Sequence, residues 1–345
     1  MPAVADDRIA IAVAERGTSG VHLVAIDEHG DRRMELVQPS GEPGPVRDMN
    51  PAISPDGKWI AFASSRGRAP DETSLWIAPL VPEALARPLT HSAAPGTIDT
   101  NPAWTPDGRA IVYASAGADK QYDLYELAID PDGRAHGAPR RLTDTPAHEV
   151  TPSVARDGSI VYAALTATPD GKVTSRIEER APDGEVASIT DGPLDAAPAL
   201  SPDGATIAFA RPTAHGGSTD TDLFLVPRHG GQVRVLVDLP LTDESGPVWS
   251  ADGRFVLATS LLRGARGNVL FASVIAVDTR EAHPRARILI DRTGAVPRLT
   301  PALAPGALDA AALDADPEYL PELARITAAA IAAQGSDGDG SGMQP

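Results

Sequence analysis

Residues 50–67 read NPAISPDGKWIAFASSRG, and this stretch decides the fold because it recurs along the chain at near-constant spacing. Ser54, Pro55, Asp56 and Gly57 spell a type I turn. A small hydroxyl residue comes first, proline stands where φ of about −65° is wanted, and glycine comes last, where a left-handed backbone carries no steric cost. Ala52 and Ile53 lead into the turn. Trp59, Ile60, Phe62 and Ala63 leave it as a strand too apolar to keep a solvated face. The unit is therefore two buried strands joined by a hairpin.

The equivalent prolines are Pro51, Pro102, Pro152, Pro198 and Pro247, at intervals of 51, 50, 46 and 49 residues. A period near fifty is the propeller range. Each proline is followed two residues later by an apolar residue (Ile53, Trp104, Val154, Leu200, Trp249) and then by an Asp-Gly pair (Asp56-Gly57, Asp107-Gly108, Asp157-Gly158, Asp203-Gly204, Asp252-Gly253). Beyond each hairpin lie a third apolar run (SLWIAPL, DLYELAID, SRIEER, DLFLVP, NVLFASVIAV) and a fourth (RPLT, RRLT, VASIT, VRVLV, RILI). Four strands per repeat make one propeller blade.

The two ends complete the count. Residues 6–17 (DDRIAIAVAERG) align without a gap on residues 56–67 (DGKWIAFASSRG), so the chain enters at a second strand. The missing first strand reappears near Leu299, Thr300 and Pro301, where the following turn has lost its Asp-Gly pair because its partner strand lies at the other terminus. The expected fold is all-β, a six-bladed β-propeller over residues 1–306, closed by strands from both termini so that no open edge is left. An Ala-rich segment over 307–334 is expected to carry a short C-terminal helix, capped by Asp316, Pro317 and Glu318. Residues 335–345 (GSDGDGSGMQP) are expected to be a disordered tail.

The proline-led strand, the Ser/Thr-Pro-Asp-Gly turn, the aromatic strand and the Arg-Leu-Thr run together resemble the TolB-like propeller repeat, shared with the propeller domains of prolyl-oligopeptidase-type peptidases. The resemblance covers about residues 6–306. It implies the propeller fold and, for function, the range found in that family. That range includes a periplasmic protein of the Tol-Pal system that binds partners at one end of the channel, propeller lids on peptidases, and a few lyases. The chain departs from TolB in showing no small α/β domain ahead of the propeller and no export signal.

Composition narrows the function. The chain holds 47 acidic against 30 basic residues, a net charge of −17, which argues against nucleic acid and favours solubility or a cationic partner. There is no cysteine, hence no disulfide, cysteine-metal site or thiol nucleophile. No stretch approaches eighteen apolar residues, so membrane insertion is not expected. As written the sequence reads as a cytoplasmic, monomeric propeller; a periplasmic or extracytoplasmic home follows if Met1 begins a mature chain. No Gly-x-Ser-x-Gly elbow is present, and the histidines show no metal-ligand spacing. The Asp-x-Asp-Gly at residues 130–133 starts like a calcium loop, lacks the remaining ligands, and reads as a hairpin turn.

Strand order puts the Pro-Asp-Gly turns on one face of the ring and the blade-to-blade crossings on the other. Three residues before each blade proline stand Asp48, Asp99, Glu149, Asp195 and Glu244, with Arg298 in that place before Pro301. These positions enter the innermost strands and are expected to surround the channel mouth. There they could concentrate a negative field for a cation, an amine or a basic side chain. The competing reading is that each acid only caps backbone amides of its crossing loop. Arg16, Arg66, Arg68, Arg211, Arg263 and Arg266 follow the second strands and are expected at a basic rim, or simply solvated. The expected function is a non-enzymatic binding or scaffold module presenting this mouth to a protein, peptide or glycan, with no cofactor beyond room for a cation. The alternative is a lyase or hydrolase using the mouth carboxylates or a bound metal.

Overall fold

The computed structural model describes residues 8–15, 18–27 and 30–35 and then residues 47–303, interrupted at 70, 82–83, 91–94, 216–217, 240–241, 264–268, 282–285 and 294–299. The C-terminal helix and tail expected from the sequence lie outside the described residues. Every element among the described residues is a strand or turn, arranged as four-stranded antiparallel sheets.

Five sheets are each made by one continuous stretch and are the blades B to F. From the innermost strand outward, B is Asp48–Ile53, Trp59–Ser64, Ser74–Pro79 and Arg87–Pro88, and C is Ile98–Trp104, Ala110–Ala116, Tyr122–Ile129 and Ala135–Arg141. D is His148–Val154, Ile160–Ala167, Val173–Arg180 and Val186–Ser188. E is Ala196–Leu200, Thr206–His215, Ser218–Pro227 and Arg234–Val237. F is Thr242–Trp249, Phe255–Arg263, Val269–Asp278 and Ala286–Thr293. Sheet A joins both ends of the chain. Arg8–Glu15, Thr18–Asp27 and Gly30–Glu35 form a meander, and Thr300–Leu303 pairs with Arg8–Glu15 as its first strand, Ile11 opposite Pro301. The innermost strands touch in turn from B to F, and Thr300–Leu303 touches those of both F and B, which closes the ring. This is a β-propeller.

The hairpin turns form as their residues dictate. Gly57 N–H donates to Ser54 O at 2.9 Å with Gly57 at φ 68°, while Ser54 Oγ donates to Asp56 Oδ1 at 2.6 Å and accepts from Trp59 N–H at 2.9 Å. The same arrangement recurs at Thr105/Asp107, Ser201/Asp203 and Ser250/Asp252. Hydrogen bonds to these side-chain oxygens hold the Asp107 and Asp203 carboxyls below the usual range, Thr105 and Ser201 being the main donors. Blade D starts its turn with Ala155, so the hydroxyl that opens the other turns is missing; Ser159 N–H donates to Asp157 at 2.9 Å and Arg228 pairs with it at 2.7 Å.

The core lies between blades. Buried clusters join Ala61, Leu75 and Ile77 of B to Ile111, Tyr113 and Leu127 of C, and Val112 and Leu124 of C to Ile160 and Tyr162 of D. The pattern continues from D to E and from E to F. A second strand packed on both faces must be apolar throughout, which is why WIAFAS in B reads as a continuous run. Trp104 Nε1–H donates to Ala52 O at 3.0 Å and Trp249 Nε1–H to Ala199 O at 2.9 Å, each tying an innermost strand to the preceding blade.

Candidate functional site

The five acids stand at the crossings into the innermost strands, and each is followed by the same backbone defect. Asn50, Asn101, Thr151, Ala197 and Gly246 have φ of 52°, 51°, 52°, 49° and 61°. The pairing register slips at each of these positions, between Met49 and Ala52 in B and equivalently in C to F. The residue before each blade proline is thus a left-handed β-bulge. The proline cannot donate to the ladder, and the bulge absorbs the lost pairing while re-aiming the strand end that carries the acid. Asn and Gly suit this backbone; Thr151 and Ala197 occupy it under strain.

All five carboxylates are buried: Asp48 and Asp99 are 3 % exposed, and Glu149, Asp195 and Glu244 are 0 % exposed. They are held in two ways. In B and E an arginine clamps the acid. Arg66 donates through both terminal nitrogens to Asp48 at 2.6 Å, its guanidinium lying over the Phe62 and Trp76 rings. Arg211 donates to Asp195 at 2.6 and 2.8 Å, over Phe209 and Phe224. Gly192 N–H adds a third bond to Asp195 at 3.2 Å. In C, D and F hydroxyls do the work. Thr90 and Ser115 each donate to Asp99 at 2.6 Å; Thr143, at 3.1 Å, and Thr145 donate to Glu149; Ser260 donates to Glu244 at 2.7 Å.

The Arg-Leu-Thr run acquires a reason here that the sequence did not disclose. Thr90 Oγ1 accepts from Leu75 N–H at 2.9 Å while its proton goes to Asp99. Thr143 accepts from Leu124 N–H at 2.8 Å and donates to Glu149. The last residue of one blade's run therefore links that blade's third strand to the acid of the next blade. Thr190 accepts from Ile177 N–H at 3.0 Å in the same way, but the acid that follows it, Asp195, is taken by Arg211. The Leu-Thr that ends the fourth run in B and C, and the Ile-Thr in D, were the available signal.

Burial pushes the Asp48 carboxyl up against the opposing Arg66, and the Asp99 carboxyl up against its hydroxyl donors. Glu149 is pushed up to about 7 and Glu244 to about 8, in both cases chiefly by burial. Oε2 of Glu244 has no hydrogen-bond partner. Asp99 lines a groove between blades B and C that none of the other four acids touches. The arginines expected on a solvated rim divide. Arg66 and Arg211 turn inward to the acids, because a buried carboxylate needs a compensating charge more than the rim needs a cation. Arg68 pairs with Glu72 at 3.0 Å and donates to Thr97 O at 3.3 Å. Arg16, Arg266 and Arg298, and the side chain of Arg263, lie outside the described residues. His148 Nδ1 accepts from Tyr122 N–H at 3.3 Å. Residues 130–133 form a hairpin, Gly133 N–H donating to Asp130 O at 2.8 Å. Among the described residues no group of three or more His, Asp or Glu is placed to hold a metal ion, and no helix is long and apolar enough to cross a membrane.

A ring of four-stranded sheets with Pro-Asp turns on one face and acid-led crossings on the other defines a propeller of the Pro-Asp repeat class. The TolB β-propeller domain model (PD40) matches residues 2–253, and the chain belongs to that family. It is 29 % identical over 157 residues to an uncharacterised protein of Agrobacterium fabrum strain C58, covering 44 % of this chain; it spans half the length of that curated relative. Among solved structures it resembles TolB of Acinetobacter baumannii, at 20 % identity and TM-score 0.64 over 88 % of this chain and 68 % of the other. A structure assigned to TolB of Agrobacterium tumefaciens is similar at 20 % identity and TM-score 0.59, over 84 % and 90 %. An oligogalacturonate lyase in complex with manganese is similar at 15 % identity and TM-score 0.51, over 81 % and 73 %. Likeness at this identity speaks for the fold alone.

Proposed function

We propose that the protein is a non-enzymatic binding module, with sheet A serving as the sixth blade, that presents its crossing face and acidic channel mouth to a protein, peptide or glycan partner. The observation that carries this reading is the repetition of one device: an acid, a left-handed bulge and a proline at all five described crossings. The device fixes the backbone where each described crossing enters its innermost strand, at one end of the ring. Preorganised loops bind at lower entropic cost. The buried acids set the loops, and the loops supply the contacts. Exposed second-to-third-strand tips at Asp71, Asp119 and Asp170 bring carboxylates to that end, Asp170 pairing with Lys172 at 2.8 Å. The field there suits a partner carrying basic groups.

The catalytic alternative draws on Glu149 and Glu244, whose raised pKa values would suit proton transfer near neutral pH. Glu149, however, is wholly enclosed and spends both oxygens on Thr143 and Thr145. A general acid must reach its substrate, so the binding reading is preferred.

The test is affinity capture from the source organism's extract by the wild type and by a triple variant, Asp71→Lys, Asp119→Lys and Asp170→Lys, which alters only exposed tips. A partner retained by the wild type and lost by the folded variant supports the proposal. Equal retention by both moves the binding surface elsewhere.

A further inference from the structure

Blades B and C do not close on each other along their whole depth. The outermost strand of B is only Arg87–Pro88, whereas that of C runs Ala135–Arg141, so part of the inner wall of C is left uncovered. The result is a groove of about 780 Å³, running from the crossing end, at Asp99 and Ser115, past Tyr113 and Tyr125, to Arg134 and Ala135 at the outer strand of C. No residue of blades D, E or F lines it. Asp99 is the one crossing acid it shares with the ring of five.

Its chemistry is specific. The partly buried Tyr125 ring lies 6.0 Å from the buried Tyr113 ring, tilted by 32°, so Tyr125 gives the groove its aromatic surface and Tyr113 backs it from the core. Burial, with the Asp99 charge adding to it, raises the Tyr113 phenol and keeps its O–H as a donor. At the crossing end Asp99 and Ser115, both lining the groove, stand opposite each other in register. Each Asp99 oxygen receives one hydroxyl and, as a carboxylate, has capacity for a second donor.

The cations nearby are engaged. Arg87 donates to Asp132 O at 2.6 Å and lies over the Trp59 ring, and Arg134 pairs with the Asp132 carboxylate at 2.9 Å. With Arg87 and Arg134 so held, Arg68 paired with Glu72, and a net charge of −17, the groove does not favour an anion. Nor does the outer edge of C invite a peptide strand, since it carries Pro139, Arg140 and Arg141. An aromatic ring flanked by hydroxyls and a carboxylate acceptor matches a ligand with C–H faces and many hydroxyl groups, and the volume lies within the range of ligand pockets. We propose that the groove between blades B and C binds a neutral oligosaccharide.

The experiment is titration calorimetry with cellotriose, maltotriose and chitotriose, with trigalacturonate as the charged comparator. The proteins are wild type, Tyr125→Ala, which removes the groove's partly exposed aromatic ring, and Ala135→Trp, which fills the groove from its exposed outer strand and deletes nothing. At least one neutral trisaccharide is expected to bind the wild type, and both variants to weaken it about tenfold or more. If Tyr125→Ala does not fold, Ala135→Trp carries the test. The proposal is overturned if no neutral trisaccharide binds at tens of millimolar, if both folded variants bind as the wild type does, or if trigalacturonate binds more tightly than every neutral sugar.

Discussion

Glu149 offers the sharpest test of how the crossings are held. Its carboxyl is wholly buried and titrates at about 7, against 4.5 for an unperturbed glutamate. Burial is the main cause; the Thr145 and Thr143 hydroxyls pull the other way, and the charges of Asp123 and Glu178 add to the rise. Between these two values the folded protein holds a proton that the unfolded chain has released. Stability therefore falls as pH rises through that window. The difference from 4.5 to about 7, at about 1.4 kcal/mol per unit, sets an upper value of roughly 3 kcal/mol. Glu149→Gln copies the protonated side chain, since Thr143 and Thr145 can each donate to or accept from an amide. The variant is expected to match the wild type near pH 5 to within about 1 kcal/mol, and to exceed it by roughly 2–3 kcal/mol near pH 8. Urea denaturation across that range gives both curves, and groups common to both proteins, Glu244 among them, cancel in the difference. Parallel curves would show that Glu149 is ionised throughout and that burial does not govern it.

Three further outcomes follow from the same crossings. Arg211→Leu leaves Asp195 charged and enclosed, at a cost of about 3–5 kcal/mol, and adding Asp195→Asn should recover much of that; a double-mutant cycle by thermal denaturation measures the coupling, and additive losses would refute the clamp. Gly192→Ala would set a methyl group on the Asp195 carboxylate and the Arg211 guanidinium, so a clear drop in melting temperature is expected, which an unchanged melt would contradict. Ala197→Gly and Thr151→Asn relieve left-handed strain and should each stabilise by about 0.5–1 kcal/mol, whereas Gly246→Ala should cost about 1–2 kcal/mol; the opposite signs in chemical denaturation would remove the bulge argument.

Much of the fold was legible because its signals are local. A Ser-Pro-Asp-Gly turn needs only its own residues to form, and an apolar run such as WIAFAS announces burial on both faces wherever it occurs. The pairing of Ile11 with Pro301 could be inferred because the sequence lacked a hairpin at one end and a strand at the other. The bulges were less plain. Asn50, Asn101 and Gly246 are residues that accept a left-handed backbone, but Thr151 and Ala197 hold the same conformation against their preference, so only the shared context of the crossing imposes it. The acids were found by their spacing, yet their partners were not. Asp48 and Asp99 occupy the same place in the repeat, and one meets a guanidinium while the other meets two hydroxyls.

What the sequence determined alone was the repeat, its turns, the buried second strands and the acid at each crossing, because period and turn chemistry are carried by neighbours along the chain. What the tertiary structure decided was which groups meet across blades. Arg66 and Arg211 were drawn from an expected rim into the interior, Thr90 and Thr143 were made links between one blade and the next acid, and a short outer strand in B opened a groove beside Tyr125. These contacts depend on residues that the ring brings together from different repeats, and their energies depend on burial, which only the closed ring creates.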